Sequence, residues 1–94
     1  MASVHFAFTN AMKGIAPTYG GQPVGETETD GGATTATLGN DQVCRAKAIS
    51  GASYVRLGGD STVAASAANG FYLAEGDVID LHGSAGDKAR QDNA

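Results

Sequence analysis

Apolar residues recur at every second position in several short stretches of this chain, a pattern that predicts half-buried β-strands. In residues 3–9, Val4, Phe6 and Phe8 alternate with smaller or more polar residues. Residues 42–49 and 53–59 also alternate. One face carries Cys44, Ala46 and Ala48 in the first stretch and Val55 and Leu57 in the second, and Arg45, Tyr54 and Arg56 fall on the opposite faces. The short connection 50–52, which contains Gly51, predicts that the two stretches form a β-hairpin.

The rest of the pattern completes an all-β prediction. Residues 33–39 are rich in threonine and β-prone, whereas 61–69 are predicted to be a surface loop because the stretch is too short for a stable helix. Residues 71–82 predict two strands separated by a turn at Glu75-Gly76. About six short strands with regular turn signals favour a small antiparallel β-sandwich or barrel.

Three parts of the chain differ in composition. Its 94 residues suit one β domain, expected over 1–82. Within it, residues 10–32 contain both prolines and an acidic cluster, and they predict an extended loop or arm that can reach a neighbour. Residues 83–94 are small, polar and charged, which is typical of a disordered or docking C-terminal tail.

Composition narrows the classes of partner. The chain has 14 glycines, no tryptophan and few aromatic residues, so its core is expected to be small and to gain stability from an oligomer or a larger assembly. A net charge of −4 argues against nucleic acid as a partner. Neither a signal peptide nor a membrane span is expected, so synthesis in a cytoplasm is predicted. The single cysteine, Cys44, is expected to be a buried hydrophobic residue rather than a reactive thiol.

Residues that carry catalysis or bind metals form no recognisable motif. His5 and His82 lie in predicted strands near the two ends of the chain and could be neighbours, but a metal site needs more ligands. Glu75, Asp77 and Asp80 lack the spacing of a calcium loop, which favours turn and solvent-face roles. The glycine pairs lack the lysine of a phosphate loop, and no nucleophile motif is present. We therefore expect no enzyme, no cofactor and no metal.

A longer stretch, residues 43–83, resembles small β-rich virion proteins of tailed bacteriophages. It reads VCRAKAISGASYVRLGGDSTVAASAANGFYLAEGDVIDLHG. The family pattern has a strand of the type Val-Arg-φ, where φ is an apolar residue, a tight turn, and a strand of the type Tyr/Phe-Val-Arg-φ-Gly. A loop rich in Thr, Ala and Ser follows, and then a short strand of the type Leu-x-x-Gly that leads into a last strand. These elements fall at Val43–Ile49, Tyr54–Gly59, Ser61–Asn69, Phe71–Gly76 and Asp77–Leu81.

The resemblance implies a capsid decoration or cement protein on the virion surface. Such a protein would bind the major capsid protein and form a homo-oligomer, with a trimer as the favoured state. The alternative is a tail- or fibre-associated module that contacts a host glycan or another tail protein. The pattern contains no catalytic residues and covers under half of the chain.

Candidate interface residues follow from residue type and from charge. Tyr and Arg are enriched at interface hot spots, and Tyr54 and Arg56 share one face of a predicted strand. In the alternative, Tyr54 packs at the domain edge and Arg56 is solvated. The acidic first half and the basic central stretch could help subunits dock, or they form ordinary solvated surface. The whole candidate set comprises Tyr19, Glu26, Glu28, Asp30, Arg45, Tyr54 and Arg56.

Overall fold

The protein is a sandwich of two antiparallel β-sheets. A computed structural model describes residues 2–10 and 24–94, in which seven strands run from β1 to β7 in chain order. Their bounds are β1 Ser3–Asn10, β2 Val24–Thr29, β3 Gln42–Ser50, β4 Ser53–Gly58, β5 Phe71–Leu73, β6 Val78–Leu81 and β7 Lys88–Asn93. The first sheet has the order β2-β1-β3-β6 and the second the order β5-β4-β7. The predicted all-β fold is confirmed.

The core lies between the sheets and is filled mostly by small side chains. The alternation predicted for β1 is confirmed, because Val4, Phe6 and Phe8 are all buried. They pack with Val55 of the second sheet and with the other members of one cluster: Leu38, Cys44, Ala46, Ala48, Leu73, Leu81 and Ala89. Only two of these residues are aromatic, as the composition predicts.

Cys44 is fully buried in this cluster, as predicted. Burial in apolar surroundings disfavours the charged thiolate, and the carboxylate of Asp80 adds to this effect. Together they raise the pKa of the Cys44 thiol to about 12, so the thiol stays protonated at neutral pH. A protonated, buried thiol is a poor nucleophile.

The predicted hairpin of β3 and β4 is wrong. β3 pairs with β1 and β6, whereas β4 pairs with β5 and β7, so the chain crosses from one sheet to the other at residues 51–52. Gly51 has a φ of 65°, a conformation that glycine adopts without strain. The turn signal indicated the reversal of the chain. It carried no information on whether the two strands pair by hydrogen bonds or face each other across a core.

Part of the predicted arm is a strand. β2 falls within 10–32 and pairs with β1, with Phe6 opposite Glu26 and Val4 opposite Glu28. Both glutamates therefore point to the inner side of an edge strand, so no apolar alternation marks β2 in the sequence. Inward-pointing charges protect sheet edges from pairing with other chains. Residues 11–23 lie outside the described residues.

The C-terminal segment also differs from the prediction of a polar tail. Residues 88–93 form β7, which pairs along its length with β4. Its inner face carries Ala89 and Gln91, both fully buried. An alanine and a neutral polar residue do not give the apolar alternation of a strand, which is why composition indicated a solvated tail.

The segment after β2 closes one side of the sandwich. The main-chain N–H of Thr34 donates to the carbonyl of Ala89 at 2.8 Å, and that of Gln91 donates to the carbonyl of Gly32 at 2.8 Å. The β-prone stretch 33–39 is thus an irregular cover for β7, with one isolated bridge at Ala33, and not a regular strand. On the opposite side β5 and β6 are the last strands of their sheets. We call this side, formed by β5 and β6, the open edge.

Candidate interaction surface

Exposed apolar side chains gather at the open edge. Phe71 and Tyr72 of β5 and Val78 of β6 each expose half or more of their surface. Ile49 of β3 is also about half exposed. It lies beside the turn into β6, because the N–H of Gly76 donates to the carbonyl of the neighbouring Ala48. Among the large apolar residues that the structure describes as exposed, only Val63 lies elsewhere. The exposed side chains at the open edge point in different directions. Val78 and Tyr72 lie on the outer faces of the two sheets, whereas Phe71 pairs with the buried Val55 and faces the inner side. Exposed apolar side chains gathered at one edge mark interaction sites.

A cleft of about 390 Å³ opens between the two sheets at this edge. Apolar walls come from Leu57 and Phe71 of the second sheet and from Ile79 and Leu81 of the first. Polar residues complete the lining: Arg56, Asn69, Asp80 and His82. A concave apolar surface with a few polar groups is the usual form of a binding site.

Arg56 and Asp80 line the cleft, although both occupy outward-facing positions of their strands. The Arg56 guanidinium donates from Nη1 to the main-chain carbonyls of Asp60, at 2.8 Å, and Val63, at 3.3 Å, but it forms no ion pair with any residue that the structure describes. The carboxylate of Asp80 is already bound by Arg45, with Nε–Oδ1 and Nη2–Oδ2 distances of 2.7 and 3.0 Å. These hydrogen bonds lower the pKa of Asp80. Hydrogen bonds from Thr62 and then the nearby charge of Arg56 lower the pKa of Asp60, so Asp60 is a counter-charge for Arg56.

The main chain of β6 offers hydrogen-bonding groups along the open edge. The N–H of Ala48 donates to the carbonyl of Asp77 at 2.9 Å. This contact shows which residues of β6 form the hydrogen-bonded pairs with β3. Hydrogen-bonded and non-hydrogen-bonded pairs alternate in antiparallel sheets, so Ile79 and Leu81 direct their main-chain groups at β3. Val78 and Asp80 direct theirs outward, where no described strand pairs with them.

Three of the predicted interface residues lie on the outer faces of the sheets. Tyr54 packs edge to face against Tyr72, with ring centroids 5.8 Å apart, and so belongs to the margin of the open edge. Arg56 shares the face of Tyr54, as predicted, but it also holds the loop after β4 through the two carbonyls already named. Arg45 is bound to Asp80. Of the three, only Tyr54 adds to the exposed surface of the open edge.

The predicted acidic residues make contacts within the chain. Glu26 accepts hydrogen bonds from the N–H groups of Ala36, at 2.7 Å, and Thr35, at 3.0 Å, which lower its pKa. Burial, and then the charge of Glu26, raise the pKa of Glu28. Asp30 accepts a hydrogen bond from the side-chain amide of Asn93 at 3.0 Å. Glu26 and Asp30 therefore fasten the closed side of the sandwich. Tyr19 lies outside the described residues.

The loop predicted over 61–69 is confirmed, and a salt bridge that the sequence did not reveal holds it in place. Arg90 and Asp92 lie two positions apart on β7 and form two hydrogen bonds, at 2.8 and 3.0 Å. Arg90 also donates to the carbonyl of Ser61, and Asp92 accepts the N–H of Ala65 at 2.6 Å. No local signal marks this pair, because its function depends on a loop distant in sequence.

The two histidines do not meet, contrary to the expectation that they could. His5 lies in β1 and contacts the Thr27 hydroxyl at 3.1 Å, whereas His82 follows β6 at the cleft. β3 separates the two strands. Within residues 2–10 and 24–94, no group of three or more His, Cys, Asp or Glu side chains can hold a metal ion. In the same residues, no helix is long and apolar enough to cross a membrane.

Comparison of the chain with protein-family models, with curated proteins and with solved structures gave no match. The open edge and the resemblance in residues 43–83 are therefore the two grounds on which a function can be proposed.

Proposed function

We propose that this chain is a non-enzymatic structural protein that docks through its open edge onto a larger protein assembly. The carrying observation is that four of the five large apolar residues described as exposed, together with the apolar cleft, lie at one edge of the sandwich, whereas charged side chains or chain segments cover the opposite edge. From the resemblance in residues 43–83 we propose that the assembly is a bacteriophage capsid and that the partner is the major capsid protein. The function would then be decoration of the capsid.

The small core gives this proposal a physical reason. A domain of this size that packs mainly alanine and valine gains little from its own interior, so burial of Phe71, Tyr72 and Val78 against a partner adds stabilising apolar contact. The same contact stabilises the partner, because any surface buried between neighbouring capsid subunits opposes their separation. A homo-oligomer, with a trimer favoured, would place several open edges around one capsid axis.

Co-sedimentation with expanded capsids tests the proposal. Purified wild-type protein is expected to sediment with the capsids. Phe71→Ser and Tyr72→Ser should each weaken binding about tenfold or more, the effect of removing an aromatic anchor from an interface. Val63→Ser is the matched control, since Val63 is an exposed apolar residue outside the open edge. No association of the wild-type protein, or equal losses in all three variants, would refute the proposal.

The tail- or fibre-associated function is the second candidate, and the exposed aromatic group favours it. Tyr54 and Tyr72 pack edge to face on the outer face of the second sheet, and aromatic rings of this kind can stack on sugars. A glycan array discriminates between the two functions. Specific glycan binding without capsid binding would support the second candidate and exclude decoration.

A further inference from the structure

We infer that the open edge binds its partner by adding an extended segment of that partner as a strand beside β6. In this complex, an apolar side chain of the segment enters the cleft. The inference rests on the proposed function, because it requires a protein partner at this edge, and it adds the chemistry of the segment that is bound.

The first support is the main chain of β6. Val78 and Asp80 direct their N–H and C=O groups away from β3, because Ile79 and Leu81 form the hydrogen-bonded pairs with Ala46 and Cys44. An edge of this kind is the template for strand addition, in which main-chain hydrogen bonds give affinity. The edge strand β2, by contrast, turns two glutamates inward and is followed by the segment that covers β7.

The second support is the position of the cleft. Side chains of an added strand point alternately to its two faces, so every second side chain of a segment beside β6 faces the inner side of the sheet. The inner side at this strand is the cleft, whose walls are Leu57, Phe71, Ile79 and Leu81. The same geometry that supplies main-chain hydrogen bonds thus delivers apolar side chains to an apolar site.

A second copy of this chain fits the open edge less well, because each copy carries a net charge of −4 and like charges repel.

Selection from a displayed library of random heptapeptides against the full-length protein tests the inference. We expect a consensus with apolar residues at alternate positions. The affinity of a selected peptide is then measured by fluorescence polarisation. Failure to enrich any sequence, or enrichment only of peptides without alternating apolar residues, would overturn the inference.

Two substitutions then locate the bound peptide. Val78→Pro removes an N–H that points away from β3, so it leaves the pairing with β3 intact and should weaken peptide binding at least fivefold, the effect of one lost hydrogen bond. Val78→Thr keeps the N–H and is its matched control. Phe71→Ala opens a wall of the cleft and should also weaken binding at least fivefold, whereas Val63→Ala should not. Unchanged affinity in both Val78→Pro and Phe71→Ala would overturn the inference.

The capsid experiment separates failure of this inference from failure of the proposed function. If the protein binds the selected peptides but not capsids, decoration is wrong and strand addition stands. If it binds capsids and Val78→Pro binds them as tightly as Val78→Thr does, decoration stands and strand addition is wrong. Analytical ultracentrifugation tests whether a second copy of this chain binds the edge instead. If the wild-type protein is a dimer and Val78→Pro is a monomer, the edge binds a second copy and the inference is overturned.

Discussion

Replacement of Gln91 by alanine should lower the free energy of unfolding by about 3 kcal/mol, because the three hydrogen bonds of this buried side chain are lost. The Nε2 group of Gln91 donates to the Ser53 hydroxyl and to the side-chain carbonyl of Asn93, both at 3.0 Å, and Oε1 accepts the N–H of Gly31 at 3.2 Å. Gln91 and Ser53 are fully buried, so water cannot replace the contact between them.

The size of the effect follows from these contacts. A hydrogen bond contributes about 1 kcal/mol net, which gives about 3 kcal/mol for the three contacts of Gln91. A chain of this length is expected to have a total stability of roughly 5–14 kcal/mol, so the loss is a substantial fraction. It corresponds to a fall in Tm of roughly 12–24 °C for a domain of this size.

Urea unfolding followed by circular dichroism measures the change, with Gln91→Met as the matched control. Methionine keeps most of the volume and removes the polar atoms, so Gln91→Met should retain most of the loss if hydrogen bonds dominate. A Ser53→Ala, Gln91→Ala double-mutant cycle should give a coupling of about 1 kcal/mol between the two side chains. A loss below about 1 kcal/mol in Gln91→Ala, or wild-type stability in Gln91→Met, would refute the reasoning.

Two further predictions concern β7 and pH. Deletion of residues 88–94 should abolish cooperative unfolding, because it removes the pairing partner of β4, and a sharp thermal transition in the truncated chain would contradict this. Stability should also fall with acidification. The folded-state pKa values of Glu26 and Asp92 are lowered mainly by the hydrogen bonds that these carboxylates accept. Their contribution to stability is therefore complete at pH values above their pKa in the unfolded chain, and it is lost as the pH falls through their pKa in the folded protein. Glu28, whose pKa is raised, acts in the opposite sense, since its contribution is lost as pH rises through its folded value. Urea unfolding at pH 7 and pH 3 measures the loss of stability, and this loss should be smaller in Asp92→Asn. Equal stability of the wild-type protein at both pH values would contradict the prediction.

The candidate site was only partly predictable from the sequence. Phe71 and Tyr72 are visible as apolar residues of a short strand, but nothing local indicates that both remain exposed, since alternation places one of two neighbours inside. Phe71 is exposed because its strand ends a sheet beside a cleft, and Tyr72 because it lies on an outer face. The internal contacts of Glu26 and Arg45 were equally hidden, because their partners Ala36 and Asp80 lie 10 and 35 positions away.

The sequence by itself determined which short segments are strands with one apolar face, and it indicated where the chain reverses. β1, β3 and β4, the burial of Cys44, and the turn before β6 follow from alternation and glycine placement, because a half-buried strand needs an apolar residue at every second position. Tertiary structure decided which strands pair, and it made strands of β2 and β7. Their inner faces carry Glu26 and Gln91, and a polar side chain can face the inside of a sandwich only where distant residues supply its hydrogen bonds. The open edge has the same origin, because it is the place where both sheets end, and no segment of the sequence specifies that alone.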